Sequence, residues 1–247
     1  MWRGILIASA CAACYSDSNH HVGPDAYIAG SDGASDVDAA VGVDAPACAS
    51  GRAVYLNFDG ASLTHGSPSN ATTNTAAWMQ GASGAAPAYH AGSPTRSADI
   101  AAITAGISQQ LAAFPIAVVT VRPAAGPYVM IVFGGTAAQV TSRFGGANDQ
   151  LDCGDVAKSD VAWIGDAVAP TQQIVNTAVG AIGFGLGLTA TTTTTDCMCG
   201  WDNACSPDET GPCTLGGPIA RDPGANQTCP GLTSQDEAAT FRTEFCQ

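Results

Sequence analysis

Side chains able to bind a metal or move a proton are sparse in this chain, and their spacing suits neither task. The four histidines, His20, His21, His65 and His90, all fall within the first 90 of 247 residues. A catalytic zinc takes about three protein ligands offering nitrogen, sulfur or oxygen, a water whose pKa falls to about 7, and a carboxylate to accept its proton. His65 and His90 lack the four-residue spacing that puts two imidazoles on one helix face. His20 and His21 stand in an acidic stretch of small residues. No G-x-S-x-G elbow presents a serine nucleophile. Asp32, Asp36 and Asp38 miss the spacing of a helix-loop-helix calcium site and lack its closing glutamate, so composition accounts for them.

The chain begins MWRGILIASACAAC, with Arg3, a short apolar core from Gly4 to Ala10 and small residues before a cysteine. That pattern is a secretory signal too short to span a bilayer. It resembles the lipobox of bacterial lipoproteins, which implies a signal peptide over 1–13 and a membrane anchor through lipidated Cys14, with Cys11 as the alternative. Tyr15 after it, in place of aspartate, points within that resemblance to the outer membrane. Residues 14–47 carry recurrent aspartates and almost no apolar anchors, and are expected to form a flexible acidic tether.

Of the ten cysteines, setting aside Cys11 and Cys14 leaves Cys48, Cys153, Cys197, Cys199, Cys205, Cys213, Cys229 and Cys246. That remainder is even, and it belongs to an exported chain. Those beyond residue 196 lie among Gly, Pro, Asp and Asn, where little apolar material is present to hold a loop. Disulfides are therefore expected, each typically contributing about 2–4 kcal/mol. A zinc cluster of Cys197, Cys199, Cys205 and Cys213 is the rival, but the spacings do not form C-x2-C pairs. Spacing leaves the pairing open.

The segment TQQIVNTAVGAIGFGLGLTATTTTTDCM, Thr171 to Met198, carries apolar residues at Ile174, Val175, Ala178 and Ile182, at helical spacing. Thr171 is the expected cap. Gly180, Gly183, Gly185 and Gly187 then accumulate, each costing about 0.5–1 kcal/mol inside a helix relative to alanine. The stretch resembles the zinc helix of metzincin metalloproteases of the matrixin and archaemetzincin type, H-E-x-x-H-x-x-G-x-x-H followed by a methionine turn. With the register taken from Phe184-Gly185-Leu186, Gly185 falls on the signature glycine. Ala178, Ile182 and Leu188 then replace the histidines, Val179 replaces the glutamate, and Met198 stands at the methionine turn. None of the replacements can ligate, so the resemblance implies the fold without the metal, and no cofactor is expected. An ordinary buried core helix is the plainer reading of the same residues.

These positions require a scaffold, and the chain in order supplies one. Ala53 to Leu63 alternates Val54, Leu56 and Phe58 against Tyr55 and Asn57, a strand's period, closed by Asp59-Gly60. Residues 64–96 read as a long surface loop anchored only by Trp78. Ser97 is expected to cap a helix with its stripe at Ile100, Ile103, Ile107 and Leu111. Strands are expected at Ile116 to Val121, Tyr128 to Phe133 and Asp160 to Ile164, with a short helix from Ala137 to Phe144. Ser234 and Glu237 form the capping box of a closing helix that runs to Phe245.

VYLNFDGASLT, FPIAVVTVRP, YVMIVFGG and LDCGD, in that order ahead of the glycine-rich helix, resemble a group of secreted or lipidated metzincin-like bacterial proteins. The expected fold is α+β: a metzincin-like twisted mixed sheet with two main helices over 48–199, and a disulfide-rich C-terminal subdomain over 200–247.

With 46% hydrophobic residues the chain can bury a real core, and its net charge of −13 disfavours nucleic-acid partners. Three functions fit. The first is a catalytically inactive, metzincin-like surface lipoprotein that binds or scaffolds, holding a peptide as an added strand on its sheet edge. The others are an active peptidase with an unrecognised site, and a structural envelope lipoprotein.

Overall fold

The computed structural model describes residues 51–246. The chain divides into two units, 1–44 and 45–247, and the described residues belong to the second. The expected signal peptide, Cys14, the expected tether and Cys48 lie outside the described residues.

The elements follow in the order β1 (Ala53–Asn57), β2 (Ala61–His65), β3 (Thr75–Ala76), β4 (Ser83–Ala86), α1 (Arg96–Gln110), β5 (Ala117–Val119), β6 (Tyr128–Phe133) and α2 (Ala137–Val140). Then come β7 (Ala147–Asn148), β8 (Val161–Ile164), α3 (Thr171–Gly185), β9 (Ile219–Ala220), β10 (Ser234–Gln235) and α4 (Glu237–Glu244). The fold is α+β. Its main sheet has the order β5-β1-β6-β8-β7, parallel throughout except at β7, which runs antiparallel to β8 along one edge.

Both faces of this sheet are covered, as a parallel sheet requires. Every residue of β6, YVMIVF, is buried. Val129, Ile131 and Phe133 face a core shared with α1 and α3, while Tyr128, Met130 and Val132 face a second cluster with Trp78 and Trp163. The alternation read in β1 divides the same way, with Val54, Leu56 and Phe58 in the first cluster and Tyr55 in the second.

That second cluster corrects the expected surface loop over 64–96. A three-stranded sheet, β3-β2-β4, lies there and buries Leu63, Ala76, Trp78 and Met79. The Trp78 indole donates to the Val161 carbonyl at 2.6 Å, tying this layer to β8. Its strands are rich in Ala, Ser, Gly and Thr, so they show no hydrophobic period.

Three caps also differ from expectation. Thr95 precedes α1 without a side-chain cap bond, and Pro170, not Thr171, precedes α3. Ser234 lies in β10, while Asp236 caps α4 by accepting from the Ala239 amide. Glu237 is not part of a capping box; it is fully buried.

Disulfides join Cys153 to Cys229, Cys197 to Cys213 and Cys199 to Cys205. Cys246 is also disulfide-bonded. The cysteine-rich segment beyond 199 closes over the main core, where Phe241 and Phe245 join the cluster of α1 and α3. Burying each such ring contributes about 1.5–3 kcal/mol. Among the described residues no helix is long and apolar enough to cross a membrane.

Candidate functional site

Three segments distant in sequence converge on a cleft of about 470 Å³. One wall is the segment carrying β7, with Phe144 at its start and Asn148 and Asp149 at its end. The second is one face of α3, with Gln173, Asn176, Thr177 and Phe184. The third is the loop braced by Cys199–Cys205, which contributes Trp201 and Asn203. β7 ends the sheet, so its outer backbone edge pairs with no strand among the described residues.

The glycines of α3 let these walls approach. A Cβ on Gly180 would overlap the Trp201 indole, and it would lie 2.5 Å from the Cys197 carbonyl oxygen. A Cβ on Gly183 would lie 2.7 Å from Met198 Sδ and 3.2 Å from Leu188 Cδ1. One on Gly185 would collide with the Asp160 carboxylate. Glycine here is a packing requirement that outweighs its poor helix propensity. Trp201 then lies over Gly180 and stacks on Phe184 with ring centres 5.5 Å apart.

Of the positions singled out in the sequence, Leu188 and Met198 meet at Gly183. Ala178 and Ile182 do not join them, and none of the four lines the cleft. At 100° per residue Ala178 and Ile182 share the face of Val175, whose methyls pack on Gly106 of α1. That face belongs to the core, as does buried Val179. The cleft face is the opposite one, marked by Gln173, Thr177, Gly180 and Phe184. Gly185 is the last helical residue, and the chain turns instead at Gly187, whose φ is 83°.

The donor set does not fit a zinc ion. Ala178, Ile182 and Leu188 offer no ligand atoms, and neither do Gly180 and Phe184. Among the described residues no group of three or more His, Cys, Asp or Glu side chains is placed to hold a metal. His90 stacks on Tyr89 and lies 3.2 Å from Asp99, and His65 is exposed in β2. Cys197, Cys199, Cys205 and Cys213 are all oxidised, which removes the alternative zinc cluster.

Two buried acid pairs flank the cleft, and neither was identified from the sequence. Asp149 and Asp160 meet beneath the end of α3. Burial, then the charge of Asp160, pushes Asp149 well above the usual carboxylate range. Burial raises Asp160 itself to about 6. Beside Met198, Asp196 accepts from the Met198 amide at 2.8 Å and from the Thr191 hydroxyl at 3.0 Å. Glu237 adjoins it, pushed up to about 8 by burial and then by the charge of Asp196. Gln235 Nε2 and the Gly216 amide donate to the Glu237 carboxyl. Asp149 and Asp196 both reach the cleft wall.

At the rim, Gln173 Nε2 donates to Glu209 at 2.6 Å, and Gln150 Nε2 donates to Gln227 at 3.1 Å. No family model and no curated protein matches the chain.

Proposed function

We propose that the domain is a metzincin-like protein without its metal, in which the former catalytic cleft binds an extended peptide against the edge of β7. The observation that carries this reading is the cleft face of α3, where Trp201 covers Gly180 and stacks on Phe184. Counted from the turning glycine, Gly187, the motif spacing assigns its first two histidines to Gly180 and Phe184, the glutamate to Ala181 and the third histidine to Ala190. The register therefore moves by two residues from the one anchored on Phe184-Gly185-Leu186. In either register the side chains supply no ligand and no base.

Buried Met198 beneath Gly183, and the single antiparallel strand at the sheet edge, support the same reading. Strand addition to a free edge uses backbone hydrogen bonds and needs no ion. Disulfides suit an oxidising compartment. With the lipobox-like N-terminus they support an outer-membrane lipoprotein of the bacterial cell envelope as the reading of this proposal.

Purified protein equilibrated with zinc and then desalted is expected to retain far less than one equivalent and to leave casein intact. Stoichiometric zinc, with casein cleavage abolished by a chelator, would restore the active-protease reading.

A further inference from the structure

We propose that the cleft selects extended peptides in which a lysine or arginine lies two positions from a large apolar side chain, an inference that rests on the cleft being a peptide groove. Its lining combines aromatic surface with carboxylates and includes no lysine, arginine or histidine. Phe144, 45% exposed although large and apolar and with the Arg143 guanidinium 5.5 Å from its ring centre, stands in the β7 wall, and Trp201 in the loop wall. Val168 and Pro207 extend that apolar surface. An aromatic or branched aliphatic side chain is the chemistry that would cover it.

The charged part of the recognition lies with Asp202 and Glu209. Asp202 sits in left-handed backbone, φ 62°, and is held there by Asn226, whose amide and Nδ2 both donate to its carbonyl, at 3.1 and 2.8 Å. Its Oδ2 is shielded from water and has no hydrogen-bond partner. The Asp202 side chain as a whole is half-buried on the cleft wall, where a cationic group of a ligand can pair with its carboxylate. Glu209 is positioned by Gln173 on α3, at the same rim. Asp196 accepts from the Thr191 hydroxyl and the Met198 amide, and Asp149 faces Asp160 beneath α3, so neither is assigned to this contact.

Geometry sets the spacing. A peptide added to β7 alternates its side chains across the strand, so residues two apart share one face. One enters the aromatic cleft while the other reaches the carboxylates. The chain's own tether is a poor occupant, because residues 15–47 carry Asp17, Asp25, Asp32, Asp36, Asp38 and Asp44 and no lysine or arginine.

Fluorescein-labelled short peptides test this by polarisation at low and high salt. One carries Phe and Lys two apart, one Phe and Glu two apart, and one only Gly and Ser. The Phe/Lys peptide is expected to bind about tenfold more tightly than the Phe/Glu peptide. Asp202→Asn combined with Glu209→Gln should remove most of that preference. Asp59→Asn, which neutralises a carboxylate 88% exposed beside Arg96, should leave it intact. Equal binding of the Phe/Lys and Phe/Glu peptides would overturn the charge preference while leaving the groove. Binding of none of the three would overturn the groove reading as well. A preference that survives Asp202→Asn with Glu209→Gln would assign it to the general −13 charge of the chain and overturn the proposal.

Discussion

Glu237 shows most clearly what a single residue can hide in a sequence. Three positions after Ser234 it has the spacing of a capping box, yet it is fully buried against Asp196 with a pKa of about 8. Nothing local in the sequence distinguishes a solvated helix-start glutamate from one enclosed by a distant loop. Asp149 and Asp160 are equally silent, since their pairing depends on α3 and β8 crossing at Gly185. These groups have a measurable consequence. A carboxyl whose folded pKa lies above its unfolded value stabilises the fold fully at low pH and loses that contribution as pH rises through the folded pKa. For Glu237 the window runs from about 4.5 to 8, and for Asp160 from about 3.8 to 6. Thermal melts should therefore show the midpoint falling between pH 5 and pH 8, within the span of those two windows. Glu237→Gln, whose amide can still donate to Asp196 and accept from Gly216, should flatten the upper half of that fall. A midpoint indifferent to pH in the parent protein would refute the buried pairing.

At the scale of elements, legibility followed hydrophobic period. β6 and β8 are continuous apolar runs, and α1 carries its stripe at Ile103, Ile107 and Leu111, so all three could be placed from the sequence. β2, β3 and β4 could not, because Ala, Ser, Gly and Thr leave no period and the layer is held by Trp78 and Met79 reaching the second core. β7 is two residues long and is defined only by its pairing with β8. The glycines of α3 were legible as a cost but not as a contact. Gly180→Ala would gain about 1 kcal/mol of helix propensity on an exposed helix. Here it should instead destabilise the protein in urea unfolding, because the new methyl meets both Trp201 and the Cys197 carbonyl. Gly145→Ala, with open space around its Cβ, should stay within about 0.5 kcal/mol of the parent. A Gly180→Ala variant as stable as the parent would mean that Trp201 does not lie on the helix.

For the whole molecule, the α+β class and the oxidised cysteines were readable from order and composition, but the face of α3 that meets the cleft was not. Phe184-Gly185-Leu186 suggests one register, and the left-handed Gly187 supports another, two residues on. Only the assembled cleft, with α3, the β7 segment and the Cys199–Cys205 loop in place, shows which helix face borders it. The most direct measurement of the proposed reading introduces ligands on that face. Gly180→His, Phe184→His and Ala190→His, made together with Trp201→Ala to remove the indole, put imidazoles at all three histidine positions of the motif, the remaining contact of residue 180 with the Cys197 carbonyl lowering stability without unfolding the chain. The variant is expected to keep the parent's circular dichroism and to take up one equivalent of cobalt(II), with a visible absorption band absent from the parent. A folded variant with no cobalt band would contradict the assignment of the cleft as a former metal centre.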